Sequence, residues 1–249
     1  MKADRKPETL DGMPSAVRDP REPGEGSPAL VHREDLFAAR RYLDRLRVHH
    51  LDLTRRFMEA DGNLYSIDLV IGAVMSRSYS LIDGFIFAFD TWNLIVAAPL
   101  LRMQLDSLTR LAYIATAPRA DEVAEYVIGG GEFRKLKDAE GRRLTDARLI
   151  EHAEETHPWV KGVYHATSGW VHFSPAHVVA NWQVDEDSER VANLSGGIPI
   201  QPDRIPVSML QEVLGAMIKA TEEIFGYVEA WEARKGLPLG QARELGSRD

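Results

Sequence analysis

The chain has 249 residues, of which 44% are hydrophobic and 8% aromatic, enough to build a sizeable core. Its 38 acidic residues outnumber its 30 basic ones, so the formal net charge is -8. That balance argues against broad, non-specific binding to a nucleic-acid backbone, although it leaves room for a local basic pocket. The chain has no cysteine, which excludes a disulfide framework and a thiolate zinc site.

The two ends of the chain differ in composition from the middle. Residues 1–29 combine five prolines and three glycines with many charges, and residues 236–249 have the same character. Such segments cannot bury enough apolar surface to offset the entropy lost on ordering. We therefore expect a disordered N-terminal tail, a flexible C-terminal tail and, over residues 30–235, a single domain.

No apolar run is long enough to predict a membrane span. The run from Leu94 to Leu101 has only eight residues, against the roughly 20 that a spanning helix needs. The N-terminus also lacks the apolar segment of a secretory signal. We expect a cytoplasmic protein with no membrane partner.

Hydrophobic residues recur at helical spacing along most of the chain. The predicted helices cover, in chain order, 34–60, 66–90, 93–117, 120–128, 144–156, 159–173 and 207–234. The third begins somewhere between Asn93 and Pro99, because proline fits a first turn better than a helix interior. Around 177–195 the period changes to two about an acidic turn, which is typical of a β-hairpin. The prediction is a mainly α fold, a bundle of four long helices plus short helices and one small hairpin.

Two of these helices carry a polar face on an otherwise apolar surface. The faces consist of Arg102, Asp106 and Arg110 on the third helix and of Tyr164, Ser168 and His172 on the sixth. Both triplets have the spacing i, i+4, i+8, which keeps side chains within about 80° of one another on a helix of roughly 3.6 residues per turn. If the two faces meet, they form a site.

The residue types on these faces suit a phosphate-bearing ligand. Arginine would stabilise phosphate charge, and histidine and tyrosine are suited to proton transfer near neutral pH. The predicted ligand-binding residues are Arg102, Asp106, Arg110 and His165, with Asp106 orienting an arginine or His172. The predicted catalytic residues are Tyr164, Ser168 and His172.

Each face also has a structural interpretation. The third-helix residues could form a solvent-facing ladder of ion pairs at i, i+4, or an internal seam whose charges need partners. Tyr164 and His172 could satisfy each other, or the backbone, in a buried hydrogen-bond network. The alternative function is then a non-enzymatic protein-interaction module. Bundles of this size often pair through apolar faces, so a homodimer is predicted under either view.

The eight histidines and a basic stretch are two further candidate sites. No His-Glu-x-x-His spacing occurs, and neighbours such as His49 and His50 point about 100° apart on a helix, so neither a metal nor another cofactor is predicted. The basic residues between Arg134 and Arg148 could form a local pocket, although such clusters are usually solvated faces or loops.

The order of these motifs resembles a known group of proteins. Leu100-Leu101-Arg102-x-x-x-Asp106, followed by Tyr164-x-x-x-Ser168-x-x-x-His172 and a hairpin, is similar to a family of uncharacterised bacterial helical proteins. That family in turn resembles the HEPN superfamily of nucleotide-binding and RNA-cleaving bundles. The resemblance covers residues 34–234. At the position of Asp106 the family usually has glutamate, so the carboxylate here has a shorter reach.

The resemblance implies an HEPN-like bundle that binds RNA or a nucleotide, with metal-independent endoribonuclease activity of the kind found in toxin or phage-defence systems. HEPN ribonucleases carry an arginine followed, after four to six intervening residues, by a histidine that assists attack by the 2′-hydroxyl. The clean match here is Arg45 with His50, in the first long helix rather than a late one. The superfamily also includes inactive members that only bind nucleotides, RNA or a partner protein.

Overall fold

The structure is a computed structural model that describes residues 29–172, 174, 177–178, 182–185, 193–196 and 205–236. Almost all of both predicted tails lies outside these residues. The described helices are α1 (Ala29–Glu59), α2 (Ser66–Asp90), α3 (Leu94–Thr116), α4 (Ala120–Ile128), α5 (Asp146–Glu154), α6 (Val160–Val171) and α7 (Val207–Arg234). The predicted mainly α fold class is confirmed.

Two short strands lie between α6 and α7. β1 (Trp182–Asp185) pairs with β2 (Asn193–Gly196) in antiparallel register, with Trp182 opposite Gly196. Residues 186–192, where the acidic turn was predicted, lie outside the described part of the chain.

Helix α3 lies at the centre of the bundle. It packs against α2, α4, α5, α6 and α7, while α1 packs against α2 and α7. Leu101, Leu105 and Leu108 of α3 are therefore fully buried. Neighbours cover most of its circumference. The residues of α3 that reach the surface include the half-buried Arg102, Asp106 and Arg110 and the exposed apolar residues Ile95, Val96 and Met103.

The starts and ends of the helices follow local signals. The Asn93 side chain accepts a hydrogen bond from the Val96 amide, so α3 begins at Leu94 and includes Pro99. Helix α6 ends at Val171, earlier than the predicted end near residue 173. This early end moves His172 off the helix.

Helix α2 is the most apolar of the long helices. By length and composition alone, Ser66–Asp90 could cross a membrane, and 44% of its most apolar stretch is buried inside the bundle. Two of its polar side chains, Asp68 and Ser78, hydrogen-bond to residues of other helices. Both contacts tie α2 to other helices of the bundle.

A chain of hydrogen bonds crosses the core and joins the four long helices. Ser78 of α2 lies 2.9 Å from Nε2 of His50 in α1, and the Gln104 amide of α3 donates to Ser78 at 2.6 Å and to Thr221 of α7 at 3.2 Å. All four side chains are buried. We call these four residues the buried polar chain.

A second buried polar group ties the C-terminal end of α7 to the start of α2. The Lys235 ammonium lies 3.1 Å from Asp68, and both side chains have no solvent exposure. Lys235 also donates to the Phe57 carbonyl, and Asp68 accepts from the Trp231 indole and the Tyr65 amide. These contacts, here called the C-terminal clasp, fasten α1, α2 and α7 together.

Candidate functional site

The two predicted polar faces meet where α6 packs against α3. The guanidinium carbon of Arg102 lies 3.0 Å from the centroid of the Tyr164 ring, a cation–π contact. Arg102 is half-buried, yet no carboxylate of the described residues lies within ion-pair distance of it. One cation at this junction is therefore stacked rather than neutralised.

Asp106 is the shared anion of the site. Both Arg110 of α3 and Arg77 of α2 bind its carboxylate, the latter at 3.1 Å. Arg77 also donates to the Ser107 hydroxyl at 2.6 Å, and Arg110 reaches Asp146 at the start of α5 at 3.1 Å. The carboxylate thus contacts two arginines from different helices, in a position to orient them.

Arg77, Arg102 and Arg110 are here called the arginine cluster. Their three guanidinium groups face two carboxylates, those of Asp106 and Asp146, so the local charge is positive. Burial lowers the pKa of each arginine below its usual value, and at Arg102 and Arg110 the Asp146 carboxylate opposes this shift more than a neighbouring arginine adds to it. Desolvated positive charge in excess of its counter-charge favours binding of an anion.

The basic stretch after α4 adjoins this cluster. The Phe133 ring lies 5.6 Å from the guanidinium carbon of Arg110. Asp138 holds the stretch in a compact loop, because it accepts from the Arg148 side chain at 2.7 Å and from the Arg142 amide at 2.8 Å. Burial opposes ionisation of Asp138, but these hydrogen bonds and charges lower its pKa to about 2.

Two cations of this loop face each other across a β-bridge. Lys137 and Arg143 are antiparallel partners, and the flanking hydrogen bonds run from the amides of Asp138 and Leu144. That pattern makes them a non-hydrogen-bonded pair, in which side chains share one face at the closest spacing. Like charges placed so are unfavourable, and neither has an ion-pair partner in the described part of the chain. The loop therefore presents a second concentration of positive charge.

The remaining predicted residues of α6 are placed differently from one another. The Ser168 hydroxyl donates to the Tyr164 carbonyl at 2.7 Å, so it is engaged by its own helix. His165 is exposed, with its ring edge-on to Tyr164 at 6.0 Å. His172 is exposed and follows the last residue of α6 in an extended conformation. The expected helical series of Tyr164, Ser168 and His172 is therefore broken at its third member.

The arginine–histidine pair of α1 does not form a common site. Arg45 is exposed, whereas His50 is buried. Both ring nitrogens of His50 are engaged, one by the Leu46 carbonyl at 3.0 Å and the other by Ser78. Burial lowers the pKa of His50 to about 4. A neutral, enclosed imidazole cannot assist attack on a phosphate that Arg45 would hold at the surface.

Sequence reasoning missed Arg77 and Asp146, which complete the arginine cluster. A signal for Arg77 was present, because it is the only basic residue in α2 and an isolated charge on an apolar helix needs a partner. Nothing in the sequence marked Asp146, since its contact with Arg110 spans 36 positions. Within the described ranges, no group of three histidine or acidic residues is placed to hold a metal ion.

Comparison with known proteins gives no relative for this chain. No protein-family model matches it, and no curated protein or solved structure matches it significantly.

Proposed function

We propose that this protein is an HEPN-like helical bundle that binds RNA, or another phosphate-bearing ligand, at the arginine cluster. The observation that carries the proposal is Arg102. Its guanidinium is half-buried and stacked on Tyr164, with no carboxylate partner among the residues described. A phosphate would supply the missing counter-charge in a geometry that guanidinium groups match well.

In this proposal each residue of the site has a distinct task. Arg102 and Arg110 contact phosphate directly, while Asp106 keeps Arg77 and Arg110 in position. The Tyr164 ring supports the Arg102 guanidinium, and the exposed His165 imidazole lies beside that ring. Binding at this site uses a local positive field, so it is compatible with a chain of net charge -8.

The paired cations Lys137 and Arg143 favour a polymer over a mononucleotide. They lie on the loop whose Phe133 contacts Arg110, so one extended strand could contact both places. Since each contact with a backbone phosphate adds to affinity and to its salt dependence, a longer RNA should bind more tightly than a short one.

Cleavage of the RNA is a further step that the same site could support. His172 is exposed just beyond the end of α6, eight residues after Tyr164, and in this proposal it is the general base that takes the 2′-hydroxyl proton without a metal. Ser168 is less suited to a chemical step, because its hydroxyl already donates to the backbone.

The test is binding of fluorescently labelled single-stranded RNA in the presence of EDTA, followed by anisotropy for wild type and for the double variant Arg102→Ala/Arg110→Ala. We expect the double variant to bind at least about tenfold more weakly and to lose roughly one unit of salt slope for each phosphate contact removed. Arg45→Ala is the matched control, because it removes an exposed arginine from α1 and should bind as wild type does. Gel analysis of the same samples reports cleavage.

Unchanged affinity in a folded double variant would contradict the proposal. The alternative function, an interaction module whose polar faces are purely structural, predicts a different pattern. In that case wild type binds no RNA, and the double variant loses stability by thermal melting without losing any binding. The ion pairs around Asp106 are the observation that favours this alternative.

A further inference from the structure

A groove of about 450 Å³ runs between α6 and α7, apart from the arginine cluster. Both helices pack on α3. The walls carry small residues, Gly162 and Ala166 from α6 and Gly215 and Ala216 from α7, with Glu212 and Lys219 along the edge. Three of the small residues are exposed and Ala216 is half-buried. Among the described residues, nothing covers this groove.

No described residue packs closely against either of the two glycines. A Cβ added at Gly162 or at Gly215 would meet no atom within 4 Å. Glycine inside a helix costs about 0.5–1 kcal/mol relative to alanine, and no contact with a described residue requires it at either position, as is also true of Gly72 in α2 and Gly226 in α7. Gly84 differs, because a Cβ there would meet the Leu100 side chain at 3.4 Å. Glycines on an open helix face permit another helix to approach closely.

The charges on the edge of the groove are self-complementary. Glu212 and Lys219 are seven residues apart, so they lie on one face of α7, and the midpoint between them falls between Gly215 and Ala216. An antiparallel copy of α7 that crosses at this midpoint brings Glu212 opposite Lys219 of the partner subunit, and the reverse pair forms by symmetry. A two-fold interface requires such a self-matching surface.

Lys219 is already held in place for this contact. Its ammonium lies 5.2 Å from the centroid of the Trp159 ring, at the start of α6. This cation–π contact fixes the side chain along the groove. Both Lys219 and Glu212 are exposed, and neither forms an ion pair in the described part of the chain.

We propose that a second copy of this chain docks in this groove, with the two α7 helices crossing at Gly215 and Ala216 about a two-fold axis. The paired small residues allow the helices to approach, and the two Glu212–Lys219 pairs fix the register. This interface shares no residue with the arginine cluster, so dimerisation and ligand binding can be tested separately.

The test is the oligomeric state of the full chain, measured by sedimentation velocity from about 1 to 100 µM. Wild type is expected to be a dimer. Glu212→Lys and Lys219→Glu each place like charges in both symmetric contacts, so each alone should dimerise at least about tenfold more weakly. An equimolar mixture of the two variants should recover a dimer, because their charges are complementary. Glu229→Lys, a charge reversal elsewhere on α7, should leave dimerisation unchanged.

Gly215→Leu provides a second and independent test. Since the space beside Gly215 is open, the variant should fold with an unchanged circular dichroism spectrum, yet the larger side chain should keep the second helix away. A wild type that is monomeric at 100 µM would overturn the proposal. So would dimers that persist in both single charge variants and in Gly215→Leu.

Discussion

Polar side chains gather in two regions of this bundle, and the two regions differ in the charge of their side chains and in how far solvent reaches them. In the buried polar chain, neutral groups from four helices bond to one another out of contact with solvent, and among the described residues only the side-chain oxygen of Gln104 in this chain is left without a hydrogen-bond partner. In the arginine cluster, charged groups are only partly covered, and the cations outnumber the carboxylates. In both regions the polar side chains belong to helices that are otherwise largely apolar.

The difference teaches how to separate a structural network from a ligand site. A buried group that has its partners stabilises the fold and has little left to offer a ligand. A half-buried charge without its partner costs folding energy, and a ligand can recover that cost. Pairing, rather than the presence of polar residues, therefore points to the arginine cluster as the site.

The largest expected effect on stability comes from the C-terminal clasp, where one partner of a fully buried ion pair is removed. Lys235→Met leaves the Asp68 carboxylate buried without its cation, which should lower the free energy of unfolding by about 3 kcal/mol. Guanidinium denaturation measures this loss. Lys161→Met is the control, because its partner Glu154 is a surface residue and loss of that pair should cost less than about 1 kcal/mol.

The double variant Asp68→Asn/Lys235→Met shows whether the unpaired charge is the cause. If the isolated carboxylate accounts for the loss, the double variant should be more stable than Lys235→Met alone. Equal stability of the two would mean that packing of the lysine chain, and not its charge, holds the clasp together.

The second prediction concerns the buried polar chain and the way its stability changes with pH through His50. Burial lowers the pKa of His50 from 6.5 to about 4 in the folded protein, so the unfolded chain binds this proton more readily. Neutral His50 therefore makes its full contribution to the stability of the folded protein above pH 6.5, and this contribution is lost as the pH falls towards 4. Between pH 7 and pH 5 the loss should be about 2 kcal/mol, since one pKa unit corresponds to about 1.4 kcal/mol.

His50→Leu isolates this contribution from the other histidines. Urea denaturation at pH 7 and at pH 5 gives the unfolding free energy of wild type and of His50→Leu. Wild type should lose more stability between these two pH values than His50→Leu does, and the difference is the loss due to His50. Identical pH dependence in the two proteins would mean that His50 is accessible to protons, and that the buried polar chain is less enclosed than its contacts indicate.

Much of the fold could be predicted from the sequence, because its signals are local. Periodicity together with stop residues gives the ranges 66–90, 120–128 and 207–234, which match α2, α4 and α7. The burial of His50 also has a signal in the sequence. It falls at a core position in the series Leu43, Leu46, His50, Leu53 and Phe57, whose spacing of three and four is that of a buried stripe.

The site was only partly predictable, because half of it depends on packing. Spacing along α3 predicts that Arg102, Asp106 and Arg110 share a face, and it cannot reveal that Arg77 and Asp146 arrive from other helices. The excess of positive charge is a property of the assembled residues. No count along a single helix would have shown it.

The smallest expected change in stability follows substitution of His172, an exposed histidine that contrasts with the buried His50. His172 is exposed beyond the end of α6, so His172→Ala should change the free energy of unfolding by less than about 0.5 kcal/mol. His50→Ala, by contrast, removes a buried ring and an acceptor for Ser78, at a cost of about 3 kcal/mol. Thermal melting distinguishes the two.

If His172→Ala keeps wild-type stability but abolishes RNA cleavage in EDTA, the effect must be chemical, because there is no structural loss to explain it. A large loss of stability would instead place His172 with the structural residues and remove it from the site.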